Sequence, residues 1–311
     1  MLIHYLKMMY SQPEGLLFMP KKILVTGGAG FIGSHLCDAL SAQGHDVMSL
    51  DNYFTGSREN HVPNVVYSFG STESVSYKNF PKFDIVYHLG EYSRVEQSYE
   101  DIDVVHRYNI EGTWKLLQAV KLWGAKIIYS GSSTKFADND PDYIISPYAF
   151  FKKQNTELVK QFCEWNGLEY AITYFYNVYG PREIREGKYA TLIAKFMNKV
   201  ENGKPLEVVS PGTQSRNFTH IADIIHALLL IGAEGNGDEY GIGHPDSYNI
   251  IEIAQLFDTD WEFLPARMGN RMSAPVLSDK TRQLGWQPTH NLEQYISDFI
   301  KQSTEEAKRI A

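Results

Sequence analysis

The sequence predicts an α/β fold built on a doubly wound parallel sheet, and three observations support this prediction. Strand-like and helix-like segments alternate from residue 21 to about residue 180, as they do where crossover helices cover both faces of a parallel sheet. A glycine-rich turn, VTGGAGFIG, separates the first strand from the first helix. After Gly180-Pro181 the alternation weakens, which indicates a smaller second lobe of mixed α and β structure.

The N-terminal elements follow one another in a regular order. KKILVTGG is a short apolar run closed by glycines, as expected of a buried parallel strand. FIGSHLCDALSAQG places Ile32, Leu36 and Leu40 on one helical face, and Gly44 stops the helix. HDVMSLDN and FDIVYHLG are the next strands. YNIEGTWKLLQAVKLWG is a helix before the strand AKIIYSGS, and PYAFFKKQNTELVKQFCEWNG is a helix before the strand EYAITYFYNVYG.

The C-terminal third predicts further helices and one short strand. The helices are YATLIAKFMNKVENG, IADIIHALLLIGAEG and NLEQYISDFIKQ, and the strand LEVVS precedes the turn PGTQ. The last helix carries apolar residues at clean helical spacing. We therefore predict an N-terminal extension at 1–19, a larger domain at 20–180, and a smaller lobe that occupies mainly 181–311.

The composition excludes several classes of function. The 311 residues carry a net charge of −8, from 29 basic and 37 acidic residues, without a basic block that could neutralise nucleic-acid phosphates. Cys37 and Cys163 form no Cys-x-x-Cys pair and the ten histidines show no ligand spacing, so we expect no metal. No run reaches the ~18 apolar residues of a membrane span, and the opening segment lacks the apolar core of a secretion signal. We expect a cytoplasmic protein.

The glycine-rich turn predicts a dinucleotide site of the Rossmann type. Gly27, Gly30 and Gly33 follow a strand and open a helix, where glycines permit a tight turn, close approach to a pyrophosphate and close packing of helix on strand. Asp51 ends the next strand, where a carboxylate can accept both ribose hydroxyls and repel a 2′-phosphate, which favours NAD over NADP. The alternative is a glycine-rich turn with a chance aspartate. The other predicted cofactor contacts are Phe31, Ile32, Asn52, Leu89, Tyr148 and Lys152.

A Ser/Tyr/Lys set follows the strand AKIIYSGS. Tyr148 and Lys152 lie one turn apart on one helical face, and Ser132 and Thr134 follow a sheet strand, where such sheets bind ligands. Hydride transfer from an alcohol needs a base, and a free tyrosine, with a pKa near ~10, is a poor one at neutral pH. A neighbouring lysine ammonium and the positive nicotinamide ring would favour the phenolate. The alternative is a polar loop that leads into an ordinary helix.

The chain resembles the extended short-chain dehydrogenase/reductase family, in its branch of NAD-dependent nucleotide-sugar epimerases and dehydratases. The residues that carry the resemblance span about 21 to 300 and include VTGGAGFIGSH, YHLG, NIEGT, SPYAFFK, YNVYGPRE, RNFTHIADII and LGWQPTHNLEQ. The resemblance implies that 20–180 binds NAD and that the C-terminal lobe binds a nucleotide-diphosphate sugar. It also implies a homodimer formed through two helices per subunit, at 104–123 and 148–166.

The resemblance implies roles for individual residues. Tyr148 would be the base, Lys152 its activator and a ribose ligand, and Ser132 the hydroxyl partner of the substrate. Asn177 and Arg216 would contact the diphosphate. The other substrate contacts predicted from the matching stretches are Ser133, Thr134 and Arg271. For Asn177, Arg216 and Arg271, a surface or loop-capping role is the alternative.

Thr134 is the residue most informative about the reaction. In the branch that this chain resembles, the 4,6-dehydratases have a Glu two places after the catalytic Ser or Thr. The 3,5-epimerases have a Cys at that position. Here SGSST is similar to the 4-epimerases, so we expect epimerisation at C4 through a transient 4-keto sugar. The first alternative is an enzyme that releases a keto sugar, namely a 4-dehydrogenase, an oxidase or a 4,6-dehydratase. The second alternative is a non-catalytic NAD-binding protein. The nucleotide is not readable from the sequence.

The loop GEYSRVEQS departs from the family pattern, because it carries charged residues where many relatives have small or apolar ones. We hypothesise that Glu91, Tyr92 and Arg94 shape the sugar pocket, for a sugar larger or more polar than a hexose. A solvated charged loop is the alternative.

Overall fold

The computed structural model describes residues 19–136, 145–266 and 275–310. The described strands are β1 (Lys22–Thr26), β2 (Asp46–Asp51), β3 (Val65–Phe69), β4 (Ile85–His88), β5 (Lys126–Ser132), β6 (Tyr170–Phe175), β7 (Val178–Tyr179), β8 (Leu206–Val209), β9 (Ser215–Asn217), β10 (Thr219–His220), β11 (Gly237–Ile242), β12 (Ser247–Asn249) and β13 (Trp261–Leu264). The described α-helices are α1 (Phe31–Ala42), α2 (Ile102–Val105), α3 (Gly112–Trp123), α4 (Pro147–Asn166), α5 (Leu192–Glu201), α6 (Ile221–Glu234), α7 (Ile250–Leu256), α8 (Asp279–Gln283) and α9 (Leu292–Ile310). A π-helical segment, His106–Glu111, joins α2 to α3.

Seven strands form one sheet in the order β11-β6-β5-β4-β1-β2-β3, and every neighbouring pair is parallel. The central strands β4 and β5 are buried along almost their whole length, as expected where helices cover both faces. The predicted parallel α/β fold is confirmed. The strand order reverses between β1 and β4, so that a crevice opens at the carboxyl ends of these two strands. In open α/β sheets, that crevice is where ligands bind.

The helix α4 is placed by its end residues. Ser146 accepts a hydrogen bond from the Ala149 amide at 3.2 Å and caps the helix, and Pro147 occupies the first turn. Gly167 ends the helix with a left-handed φ of 62°. The cap fixes Tyr148 in the first turn, directly beside the crevice.

The chain beyond residue 180 contributes both to the main sheet with its helices and to a smaller lobe. Ile224 and Leu228 of α6 lie in the same buried cluster as Leu36 and Leu40 of α1, and β11 pairs with β6 at the edge of the main sheet. The rest forms a smaller lobe with three two-stranded pairs, β7–β10, β8–β13 and β9–β12, around a separate apolar core. None of the helices in the described ranges has the length and apolar character needed to cross a membrane.

Candidate active site

A cavity of about 830 Å³ lies at the carboxyl ends of β1, β2, β4 and β5 and reaches the smaller lobe. Of the site residues predicted from the sequence, those in the described ranges all line this cavity. They are Gly27, Gly30, Phe31, Ile32, Gly33, Asp51, Asn52, Leu89, Glu91, Tyr92, Arg94, Ser132, Ser133, Thr134, Tyr148, Lys152, Asn177 and Arg216. Arg271 lies outside the described residues. The fold thus brings together residues that are up to 189 positions apart in the chain, from Gly27 to Arg216.

The glycine turn forms a cradle that larger residues would fill. Gly27 adopts a left-handed φ of 73°, which only glycine adopts readily. A Cβ atom on Gly33 would lie 2.1 Å from the Gly27 carbonyl oxygen. The Gly30 amide donates to the Gly27 carbonyl at 3.1 Å, and α1 begins at Phe31. The open backbone and the helix N-terminus fit the pyrophosphate of a dinucleotide.

Asp51 lies at the end of β2 and holds the loops on either side of it. One carboxylate oxygen accepts from the Ala29 amide at 2.9 Å and the other from the Tyr53 amide at 2.7 Å. Burial raises the pKa of Asp51, against these two hydrogen bonds. Each oxygen keeps a second lone pair, so the carboxylate can still accept hydrogen bonds from a ribose. These residues fit NAD.

Ser132, Tyr148 and Lys152 lie in one wall of the cavity and are at most 9% exposed. Ser132 ends β5, and its hydroxyl accepts a hydrogen bond of 2.8 Å from the Thr134 hydroxyl. Tyr148 and Lys152 extend from the first two turns of α4. The Lys152 ammonium donates to the Ser130 carbonyl of β5, which ties α4 to the sheet beside Ser132. This arrangement can hold an alcohol between a hydroxyl donor and a tyrosine base.

Glu91 lies in the cavity wall, yet its side chain is only 1% exposed. One oxygen forms an ion pair with Lys152. The other accepts from Asn155 at 2.8 Å, Thr113 at 2.9 Å and Tyr129 at 3.2 Å. Burial by itself would raise the pKa of Glu91, but the neighbouring Lys152 ammonium holds it below its usual range. Glu91 is therefore a buried carboxylate. Both oxygens bind protein groups and Glu91 also lines the cavity, so a contact between Glu91 and the sugar stays a prediction.

Tyr92 and Arg94 of the same loop are also at least partly buried, whereas Ser93 and Glu96 are exposed. Tyr92 is 2% exposed, and its hydroxyl donates to Asp101 at 2.8 Å. The Arg94 guanidinium donates twice to the Tyr189 carbonyl, at 3.0 and 2.7 Å, and burial lowers its pKa. Within the described ranges, no carboxylate lies within ion-pair distance of Arg94. The guanidinium is therefore a partly desolvated cation in the cavity wall, near Tyr148.

Asn177 and Arg216 bring the smaller lobe to the cavity. Asn177 follows β6 with a positive φ of 32°, and its side chain donates to the Asn217 carbonyl at 2.8 Å. Arg216 lies on β9, beside Asn217, and donates to the Ser215 carbonyl at 2.8 Å. Both residues line the cavity, although they lie far from the glycine turn in the sequence.

Glu183 is a buried residue of the cavity that the sequence analysis did not single out. It is 8% exposed and accepts hydrogen bonds from the Gly180 amide at 2.8 Å and from the Thr191 hydroxyl at 2.6 Å. Burial raises its pKa to about 7. Its only signal in the sequence is its place in the motif YNVYGPRE, and the motif does not show that the carboxyl is buried. Among the residues that the structure describes, no group of three or more His, Cys, Asp or Glu could hold a metal ion.

Comparisons with known proteins agree with this site. The sequence model of the NAD dependent epimerase/dehydratase family matches residues 23–250. The chain is 31% identical over 257 residues to UDP-N-acetyl-alpha-D-glucosaminuronate decarboxylase from Bacillus cytotoxicus, with 76% of this chain and 79% of the relative covered. Another relative, 29% identical over 298 residues, is a putative UDP-glucose 4-epimerase from Methanocaldococcus jannaschii, with 89% of this chain and 97% of the relative covered.

Solved structures are similar over almost the whole chain. UDP-glucose 4-epimerase from Thermotoga maritima, solved with UDP-glucose, superposes with a TM-score of 0.85 at 26% identity and covers 92% of this chain and 99% of its own. UDP-glucose 4-epimerase from Thermus thermophilus, solved with NAD, has a TM-score of 0.81 at 25% identity and covers 91% and 99%. The cofactor is NAD, as the glycine turn predicted, and the chain belongs to the NAD-dependent epimerase/dehydratase family.

Proposed function

We propose that this protein is an NAD-dependent nucleotide-sugar epimerase that inverts C4 of the sugar through a transient 4-keto intermediate. The observation that carries the proposal is the wall of the cavity formed by Ser132, Tyr148 and Lys152. Beside them, Thr134 presents a hydroxyl, bonded to Ser132, and no acid or base. The set supports oxidation and reduction of one alcohol, without a dedicated group for removing a proton from a neighbouring carbon.

In the proposed cycle, the Tyr148 phenolate removes the proton of the C4 hydroxyl, and the Ser132 hydroxyl holds the same oxygen in line. When bound in the glycine cradle, NAD would supply the acceptor for the hydride of C4 and the donor for its return. Lys152 keeps a positive charge next to Tyr148, which favours the phenolate. After the keto sugar turns in the cavity, Tyr148 gives its proton back to the new hydroxyl. Asn177, Arg216 and Arg271 are proposed to hold the diphosphate while the sugar turns.

Decarboxylation is the second candidate reaction, and Arg94 favours it. A hexuronic acid oxidised at C4 is a β-keto acid, which loses CO2 readily. The relative from Bacillus cytotoxicus is named for decarboxylation of a uronate. A desolvated guanidinium without a carboxylate within ion-pair distance, among the described residues, is costly unless the ligand supplies the anion. We therefore propose that the sugar carries an acidic group, whether the carboxylate is retained or lost.

The protein is proposed to be a homodimer and to bind its substrate in the cytoplasm. Cys37 and Cys163 are both free and buried, which suits a reducing compartment. The helices expected at the dimer interface carry exposed apolar side chains, namely Trp114 on α3 and Phe150 and Trp165 on α4. Sedimentation velocity at micromolar concentration distinguishes a dimer of about twice 35.5 kDa from a monomer.

Proton NMR in heavy water tests the reaction. The purified protein is incubated with UDP-glucose, UDP-N-acetylglucosamine, UDP-glucuronic acid and the matching GDP sugars, with Tyr148→Phe as the inactive control. We expect the C4 epimer, without deuterium at C4, because hydride returns from the cofactor. Formation of a pentose with deuterium at C5 would show that the reaction is decarboxylation and not epimerisation. A released keto sugar would support the oxidase or dehydratase alternative, and a protein that binds NAD and converts none of the sugars would support a non-catalytic role.

A further inference from the structure

We propose that Glu91 is a positioning residue for Lys152: its carboxylate fixes the place of the Lys152 ammonium and maintains the charge of that ammonium inside the active site. The proposal rests on the proposed function, in which Lys152 acts on Tyr148 and on the nicotinamide ribose. It goes beyond that function because it assigns a role to a residue outside the Ser/Tyr/Lys set.

The position of Glu91 is fixed by its contacts with three elements. Thr113 belongs to α3, Tyr129 to β5 and Asn155 to α4, and each donates a hydrogen bond to the same carboxylate oxygen, at 2.9, 3.2 and 2.8 Å. The remaining oxygen forms the ion pair with Lys152. A carboxylate with this many partners has little freedom to rotate. It can therefore hold the ammonium at one place, next to the Ser130 carbonyl.

The same loop is pressed against the glycine turn of the cofactor site. The Gly90 amide donates to the Thr26 hydroxyl at 2.9 Å, and a Cβ atom on Gly90 would lie 2.9 Å from the Gly27 amide nitrogen. The residue that precedes Glu91 is thus in direct contact with the cradle for the pyrophosphate. Glu91 thus links the cradle to the Lys152 ammonium.

The charged groups near Lys152 identify Glu91 as the counter-ion of its ammonium. Among the described residues, Glu91 is the only carboxylate within ion-pair distance of Lys152. His88 of β4 faces the carboxylate at 3.9 Å, but burial lowers the pKa of His88 to about 4, so its ring is neutral at working pH. The His88 ring nitrogens form hydrogen bonds with the hydroxyls of Thr26, at 2.8 Å, and Thr113, at 2.9 Å. His88 therefore extends the hydrogen-bond network around Glu91 without adding charge.

The tyrosines and the arginine nearby do not replace that counter-ion. The Lys152 ammonium lies 4.8 Å from the centre of the Tyr129 ring, and burial raises the pKa of Tyr129 well above its usual value, so this phenol stays neutral. Tyr148 shares α4 with Lys152, and Arg94 adds a second positive charge near Tyr148. Without Glu91, an ammonium that is 4% exposed would lack a compensating charge, and burial favours the neutral amine in that case.

The test compares Glu91→Gln with the wild type and with Glu100→Gln, a matched control whose side chain is 79% exposed. Two quantities are measured from pH 6 to pH 10: kcat/KM for the sugar, and the dissociation constant of NAD by calorimetry. We expect Glu91→Gln to lose activity at the alkaline end, by about 10- to 100-fold relative to the wild type, and its NAD affinity to weaken with rising pH in parallel. Glu100→Gln should follow the wild type.

Two further variants separate positioning from folding. Glu91→Asp keeps the charge with a shorter side chain, and we expect it to retain the pH profile of the wild type at a lower rate. Thr113→Val removes one hydrogen bond to Glu91 and should act like Glu91→Asp. Profiles of Glu91→Gln that run parallel to those of the wild type, in both measurements, would overturn the proposal. If the wild type converts none of the sugars, the proposed function fails, and the NAD measurement still decides the role of Glu91.

Discussion

The hydroxyl of Thr134 donates a hydrogen bond of 2.8 Å to the hydroxyl of Ser132, at the end of β5. The Ser132 oxygen therefore accepts the hydrogen bond from Thr134, and the Ser132 hydroxyl proton remains available to bind the oxygen of the substrate. The residue whose identity separates the reactions of this branch is thus directly linked to the predicted catalytic serine.

Replacing Thr134 with valine should reduce kcat by about 3- to 10-fold, the usual effect of losing one hydrogen bond of about 1 kcal/mol. The product should remain the same, because valine and threonine both lack acid–base function. Steady-state kinetics with product analysis by NMR checks both points. Thr134→Ser keeps the hydroxyl and should restore the wild-type rate. A change of product in Thr134→Val would show that Thr134 takes part in proton transfer.

Replacing Gly33 with alanine should abolish NAD binding, since the added Cβ atom would lie 2.1 Å from the Gly27 carbonyl oxygen and the cradle would have to open. Thermal unfolding with and without saturating NAD measures this effect, because a ligand that binds only the folded state raises Tm. The variant should lose that rise. Ser41→Ala, at the far end of the same helix, should keep it. A normal rise in Gly33→Ala would contradict the assignment of the cradle.

Glu183 should make the stability of the protein depend on pH. Burial raises its pKa from 4.5 to about 7, so the folded protein binds a proton that the unfolded chain has released. The resulting stabilisation is complete below pH 4.5 and is lost as the pH rises to about 7, a difference of about 3 kcal/mol. Urea unfolding at pH 5 and at pH 8 measures it.

In Glu183→Gln, this part of the pH dependence should disappear, whereas in Glu186→Gln, at an exposed position nearby, it should persist. If the wild type and Glu183→Gln lose the same stability between pH 5 and pH 8, the Glu183 carboxyl is already ionised at pH 5 in the folded protein.

Arg94 should select for an acidic sugar. In Arg94→Met, we expect KM for an acidic nucleotide sugar to rise by about 10- to 100-fold, since one charge-assisted hydrogen bond contributes about 1.5–3 kcal/mol. The KM for a neutral sugar and the dissociation constant of NAD should change little. Arg107→Met is the matched control, because the Arg107 side chain is 52% exposed. Equal losses for acidic and neutral sugars would assign Arg94 to the structure of the loop.

The sequence by itself determined the features that depend on near neighbours in the chain. The parallel fold followed from alternating segments, and the NAD site from glycines spaced by three between a strand and a helix. Tyr148 and Lys152 followed from one turn of helix, because four residues bring two side chains to one face. In each case the chemistry can be read from the residues within a single strand, turn or helix.

Only the tertiary structure decided the roles of the charged residues whose partners are distant in sequence. Glu91 and Lys152 are 61 residues apart, and nothing in the loop GEYSRVEQS distinguishes a carboxylate paired in the interior from one that contacts a sugar. Glu183 has its hydrogen-bond partners nearby in the chain, at Gly180 and Thr191, but its burial is seen only in the folded structure. The strand β11 joins the main sheet from beyond residue 180. Burial and long-range pairing fix the ionisation and direction of a side chain, and both arise only when distant segments pack together.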